Sequence, residues 1–79
     1  MRIDKFLKVS RLIKRRSVAA EAADAGRIKI NGRVAKPSAK VAVGDEIEIA
    51  FGDRVVRAEV LSIKETTKKE EAAELYKIL

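Results

Sequence analysis

The chain has 79 residues, one small domain, and twelve of its apolar residues are alanine, so a single core must be thin. It contains neither Cys nor His, which excludes a disulfide scaffold and thiolate chemistry and removes the commonest metal ligand and general base. No apolar run approaches the ~20 residues of a membrane span and the start, Met1 to Lys5, lacks the apolar middle of a secretory signal, so a net charge of +6 belongs to a soluble, cytoplasmic, cofactor-free binding module rather than an enzyme.

In chain order, Ile3, Phe6, Leu7 and Ile13, with small Ser10 on the same side, have helical spacing over residues 3–13. At 100° per residue, Asp4, Lys8, Arg11 and Arg15 gather on the opposite flank, with Lys5 and Arg16 beside them. A second, Ala-rich helix is predicted from Ser17, a good N-cap, to Ala25, and Gly26 ends it as a left-handed residue. Residues 27–30 and 33–36 alternate around Asn31-Gly32, the signature of a type I′ hairpin. Pro37-Ser38 interrupts the extended run. Gly44-Asp45 and Gly52-Asp53 bracket a strand over 46–51 with Ile47, Ile49 and Phe51 predicted to face inward. Residues 54–64 are predicted extended, with a phase slip near Val60-Leu61 that a bulge would explain. Thr67 to Glu70 fits a capping box, followed by a short helix burying Ala72, Leu75, Tyr76 and Leu79. Two helices, a small mostly antiparallel sheet and a final helix make an α+β fold.

The charge is one-sided. Residues 1–16 hold Arg2, Lys5, Lys8, Arg11, Lys14, Arg15 and Arg16 against Asp4 alone, whereas residues 17–79 hold eleven basic and eleven acidic side chains. All the net charge therefore sits on the first helix and the turn after it, a footprint for a polyanion. The planar fork of Arg grips phosphate through two parallel bonds, and Lys adds point charge. The start of the second helix offers free N–H groups to a phosphate, and Lys36 and Lys40, flanking Pro37, extend the surface onto a loop. A DNA-reading helix would need side chains that reach base edges, but residues 17–25 offer alanines, Glu21 and Asp24. The only aromatics, Phe6, Phe51 and Tyr76, fall at apolar-face positions, which disfavours single-strand stacking. A basic ridge of fixed shape suits folded RNA. Asp4 has two readings: it pairs with Lys8 or Arg11 and presets its geometry, or it simply suits a helix N-terminus.

The segments Arg2-Ile3-Asp4-Lys5-Phe6-Leu7, Lys14-Arg15-Arg16-Ser17, Gly26-Arg27-Ile28-Lys29-Ile30-Asn31-Gly32 and Val41-Ala42-Val43-Gly44-Asp45-Glu46-Ile47 resemble the S-four RNA-binding domain over about residues 1–52. Lys8 to Arg16, Phe51-Gly52 and Thr66 to Ala72 make the whole chain similar to the RqcP family of stand-alone S-four proteins, which is related to a heat-shock S-four protein of free large ribosomal subunits. The resemblance implies an S-four domain over 1–64 and a helical extension, 65–79, packed on it. It also implies a factor of ribosome-associated quality control. Such a factor binds obstructed large subunits through rRNA and peptidyl-tRNA. It stabilises P-site tRNA while an RqcH-type partner directs non-templated alanine tailing, and it is a monomer away from the ribosome. The family's contacts map here onto Arg2, Asp4, Lys5, Lys8, Arg11, Lys14, Arg15 and Arg16, with Arg2, Arg15 and Arg16 foremost.

Three alternatives remain at this level. A generic rRNA-binding factor for free large subunits, acting in heat-shock rescue or assembly, would use the same ridge. S-four domains also accompany RNA-modifying enzymes, but only about 27 residues follow residue 52, too few for a catalytic domain, and Asp45 and Asp53 read as turn residues. A basic amphipathic first helix also suits a membrane surface or a partner protein, yet its apolar side is needed to cover the sheet.

Overall fold

The computed structural model describes residues 1–65 and 68–79. Its elements are α1 (Ile3–Val9), α2 (Arg16–Asp24), β1 (Ile28–Ile30), β2 (Arg33–Val34), β3 (Glu46–Phe51), β4 (Arg54–Val60), α3 (Lys69–Ala72), a 3-10 turn (Ala73–Leu75) and β5 (Tyr76–Ile78). The strands form one sheet in the order β2-β1-β3-β4-β5, with every neighbouring pair antiparallel. The fold is α+β, as the order of elements predicts.

Ile3, Phe6 and Leu7 of α1 are fully buried with Ile28, Ile47, Ile49, Val60 and Leu75. Each such side chain is worth about 1.5–3 kcal/mol of burial. Ala19 and Ala23 are the buried face of α2. They bring little apolar area, but a Cβ alone lets that helix lie close to α1.

Helix α1 ends four residues before its apolar spacing does. The Ser10 hydroxyl donates to the Leu7 carbonyl at 3.2 Å, the Arg11 N–H donates to Lys8, and the Ile13 N–H reaches back to Leu7 at 3.1 Å. Arg11 takes φ +62°, which turns the chain out of the helix. Ile13 is still buried, but it reaches the core from a loop. Helix α2 begins at Arg16 with Arg15 as N-cap and no side-chain cap, so Ser17 lies inside the first turn rather than capping it.

The Asn31-Gly32 turn has φ +51° and +82°, the pair of left-handed residues that a type I′ turn requires. The Asn31 carboxamide joins this turn to the next: it donates to Asp45 at 3.1 Å and accepts from the Glu46 N–H at 2.9 Å. Asp45 in turn accepts from the Ala42 N–H at 2.8 Å.

The remaining expectations are corrected at the far end of the sheet. Phe51 has the parity of Ile47 and Ile49 but sits opposite Arg54 at the hairpin tip, beyond the helical cover, and is 44% exposed. The phase slip at Val60-Leu61 is the end of β4, not a bulge: the β3–β4 register runs unbroken, and the Leu61 N–H turns to the Leu75 carbonyl. The final helix is short and gives way to a strand, because β4 still has an open edge that Tyr76–Ile78 fills. Ala72 and Leu75 are buried, Tyr76 is half-buried and Leu79 is exposed. The observed N-cap of α3 is Lys68; Thr67, the expected cap, lies outside the described residues.

Candidate nucleic-acid interface

The first N–H groups of α1 find their acceptors in the loop after β2. Ile3 donates to Ala39 at 2.7 Å and Asp4 to Pro37 at 3.4 Å, while the Val41 N–H donates to Met1. The loop is thereby fixed against the start of the chain, and Lys40 lies beside Arg2 in an isolated antiparallel bridge. Lys36 and Lys40, both exposed, share a recess of about 470 Å³ with Arg33.

Asp4 is not on an exposed flank. Its side chain is 5% exposed, and its partners are neither Lys8 nor Arg11. Arg2 donates to it through Nε and Nη2, both at 3.2 Å, Arg16 approaches at 3.4 Å, and the Lys5 backbone N–H donates at 2.8 Å. The loop between the helices explains this, since it returns the start of α2 to the start of α1. One buried carboxylate thus holds two guanidiniums side by side, each about half exposed (50% for Arg2, 47% for Arg16). Tethered to one carboxylate, the two like charges are oriented together on one surface, the kind of preorganisation that phosphate recognition rewards.

Lys8, Arg11 and Lys14 are exposed and line a second recess, of about 430 Å³. Among the described residues none of the three, nor Arg15, has a carboxylate within 4.0 Å. Arg15 is exposed at the N-cap of α2 and lies in neither recess. Lys5 is half-buried and pairs with Glu65, whose carboxyl the Lys5 ammonium holds below the usual carboxylate range by hydrogen bonding and by charge.

The expected ridge is therefore two clusters: Arg2 and Arg16 on Asp4 with Lys40 adjacent, and Lys8 with Arg11 and Lys14. Two cations that sequence reasoning missed join them. Arg33 follows the Asn-Gly turn, where a basic residue reads only as a strand start. Lys69 falls within the capping-box reading, and no local pattern brings it to α1.

The S4 domain family matches residues 1–47. The chain is 61% identical over its full length to the RQC P-site tRNA stabilizing factor of Bacillus subtilis, spanning 92% of that protein, and 56% identical to the protein of that name from Streptococcus pneumoniae, spanning 90% of it. Its fold is similar to that of Heat Shock Protein 15 from Vibrio cholerae, solved in a trimeric structure, with a TM-score of 0.92 and 31% identity over all of this chain and 81% of that one. The sequence motifs, the architecture and these likenesses converge: the chain belongs to the S4-domain family of RQC P-site tRNA stabilizing factors.

Proposed function

We propose that this chain stabilises P-site tRNA on obstructed large ribosomal subunits, contacting rRNA and peptidyl-tRNA through Arg2, Lys5, Lys8, Arg11, Lys14, Arg15, Arg16, Lys36 and Lys40, with Asp4 as the residue that positions Arg2 and Arg16. Membership of the family gives the coarser statement, an RNA-binding role associated with the ribosome. The observation that carries the finer one is the guanidinium pair on buried Asp4, with Lys8, Arg11, Lys14 and Arg15 exposed and, among the described residues, without a carboxylate within 4.0 Å. A surface fixed in shape and short of counter-charge is suited to a folded sugar-phosphate backbone. On the same particle an RqcH-type factor would direct the addition of alanine without a template, and the chain itself would carry out no reaction.

Co-sedimentation with large subunits carrying peptidyl-tRNA tests this. Arg16→Ala weakens binding about tenfold or more while circular dichroism stays unchanged, nuclease releases the wild-type protein, and binding falls steeply with salt, by about 0.7–0.9 in the log–log slope per neutralised phosphate. Undiminished sedimentation of the variant overturns the reading. The likeness to Heat Shock Protein 15 favours a second reading, a general factor for free large subunits. Equal binding with and without peptidyl-tRNA selects it.

A further inference from the structure

Lys69 lines the same recess as Lys8, Arg11 and Lys14, although it opens α3 near the other end of the chain. Several contacts bring it there. Leu75 is fully buried in the core and its carbonyl accepts from the Leu61 and Ser62 N–H groups. Lys5 pairs with Glu65, and Lys64 with Glu71 at 3.4 Å. Of the segment's four acidic residues, Glu65 and Glu71 pair with Lys5 and Lys64 and Glu70 and Glu74 are exposed, whereas Lys69, among the described residues, has no carboxylate within 4.0 Å.

Four cations around one recess repel one another, and salt screens that repulsion only in part at separations shorter than the Debye length, about 8 Å at physiological ionic strength. Arg11 adds a second cost, because its φ of +62° is a conformation in which Gly or Asn is the less strained choice. The turn at Arg11 ends α1, but packing explains neither the choice of Arg for that turn nor the grouping of the four cations, since Lys8, Arg11, Lys14 and Lys69 are all exposed. Both are explained if the recess is completed by an anion.

We propose that Lys69 makes the C-terminal segment part of the RNA-binding surface, closing with Lys8, Arg11 and Lys14 a recess that takes backbone phosphate separately from the Arg2–Asp4–Arg16 cluster. The inference rests on the RNA-binding reading above. RNA rather than an acidic protein is the occupant because, among the described residues, the recess is lined by Lys and Arg side chains, whose aliphatic stems line it without an aromatic or branched apolar residue to anchor a protein partner, and because Lys8, Arg11 and Lys14 belong to the charge excess of residues 1–16.

The test measures binding of the full chain to large subunits carrying peptidyl-tRNA across a salt series, for Lys69→Ala, Arg11→Gly, Arg16→Ala and, as a control for charge alone, Lys77→Ala on exposed β5. Lys69→Ala is expected to weaken binding severalfold, and the advantage of wild type over it shrinks about threefold between about 50 and 200 mM salt, the signature of one lost phosphate contact. Lys77→Ala leaves affinity unchanged. Arg11→Gly keeps or raises the melting temperature while weakening binding. The recess proposal is overturned, with the broader reading intact, if Lys69→Ala matches Lys77→Ala while Arg16→Ala still loses binding. Both fall if neither Arg16→Ala nor Lys69→Ala has an effect. Competition by poly-glutamate that depends on Lys69, with subunit binding indifferent to it, assigns the recess to an acidic protein and also overturns the proposal.

Discussion

On the outer face of the sheet, Glu48 serves two cations, Lys29 at 3.7 Å and Arg57 at 3.0 Å, across the paired strands β1, β3 and β4. At the start of α1, Asp4 also serves two, Arg2 at 3.2 Å and Arg16 at 3.4 Å. Each triad sets one carboxylate against two cations, but their settings differ. The Glu48 side chain is 26% exposed, and its partners reach it from neighbouring strands whose positions the backbone ladder already fixes. Asp4 is buried beneath its arginines and joins residues from two helices. Solvent can replace what Glu48 provides, and surface ion pairs of that kind contribute about 0–1 kcal/mol. Nothing replaces Asp4, so the ordering of its two partners depends on it. An ion pair is informative about function where its carboxylate is inaccessible and its cations are not.

The comparison is tested most severely by removing the cations. The double variant Arg2→Ala/Arg16→Ala is expected to lower affinity for large subunits about a hundredfold or more, from two charge-assisted contacts of about 1.5–3 kcal/mol each, whereas Lys29→Ala/Arg57→Ala leaves it within twofold. Equal losses would mean that charge, not arrangement, governs binding. Removing the carboxylates comes next. Asp4→Asn makes the protein more positive, so simple electrostatics predicts tighter binding. Loss of positioning predicts binding about tenfold weaker and, in urea denaturation, a fold destabilised by about 1–3 kcal/mol. Glu48→Gln changes stability by no more than about 1 kcal/mol.

The smallest effect concerns Glu65. Its pKa is lowered in the folded state by Lys5, so the pair stabilises the fold above the ordinary carboxylate range, and that contribution is lost as pH falls through the lowered value. Glu65→Gln should melt slightly below wild type at neutral pH and low salt. The two should converge in acid or at high salt, as thermal denaturation at several pH values would register.

Much of the fold is legible in the residues because its signals are local. The spacing of Ile3, Phe6, Leu7 and Ser10, the Asn31-Gly32 turn and the alternation of Ile47 with Ile49 each demand one backbone geometry. The errors arise where a periodic pattern outruns its physical cause. Ile13 extends the helical spacing after Ser10 and Arg11 have ended the helix, and Phe51 extends the strand alternation past the layer that would bury it. The open edge of β4 decides the fate of Tyr76–Ile78, and no property of those three residues announces it. The same holds for the site: the excess charge of residues 1–16 is plain from the sequence, but its division into two clusters, the burial of Asp4 and the arrival of Lys69 are tertiary facts. A periodicity argument places Asp4 on a flank because it does not count the partners that a carboxylate can recruit from a second helix.

The carboxamide that bridges the Asn31-Gly32 turn to Asp45 and Glu46 ties the durability of the protein to one amide. Its nitrogen donates to Asp45 at 3.1 Å; hydrolysis to a carboxylate would set two negative oxygens against each other there, and like charges at that distance cannot both stay ionised without cost. Asn is among the thermolabile residues, so chemical ageing at this single position would unfasten the β1–β2 turn from the chain that enters β3, loosening one end of the sheet while leaving every cation of the surface in the sequence.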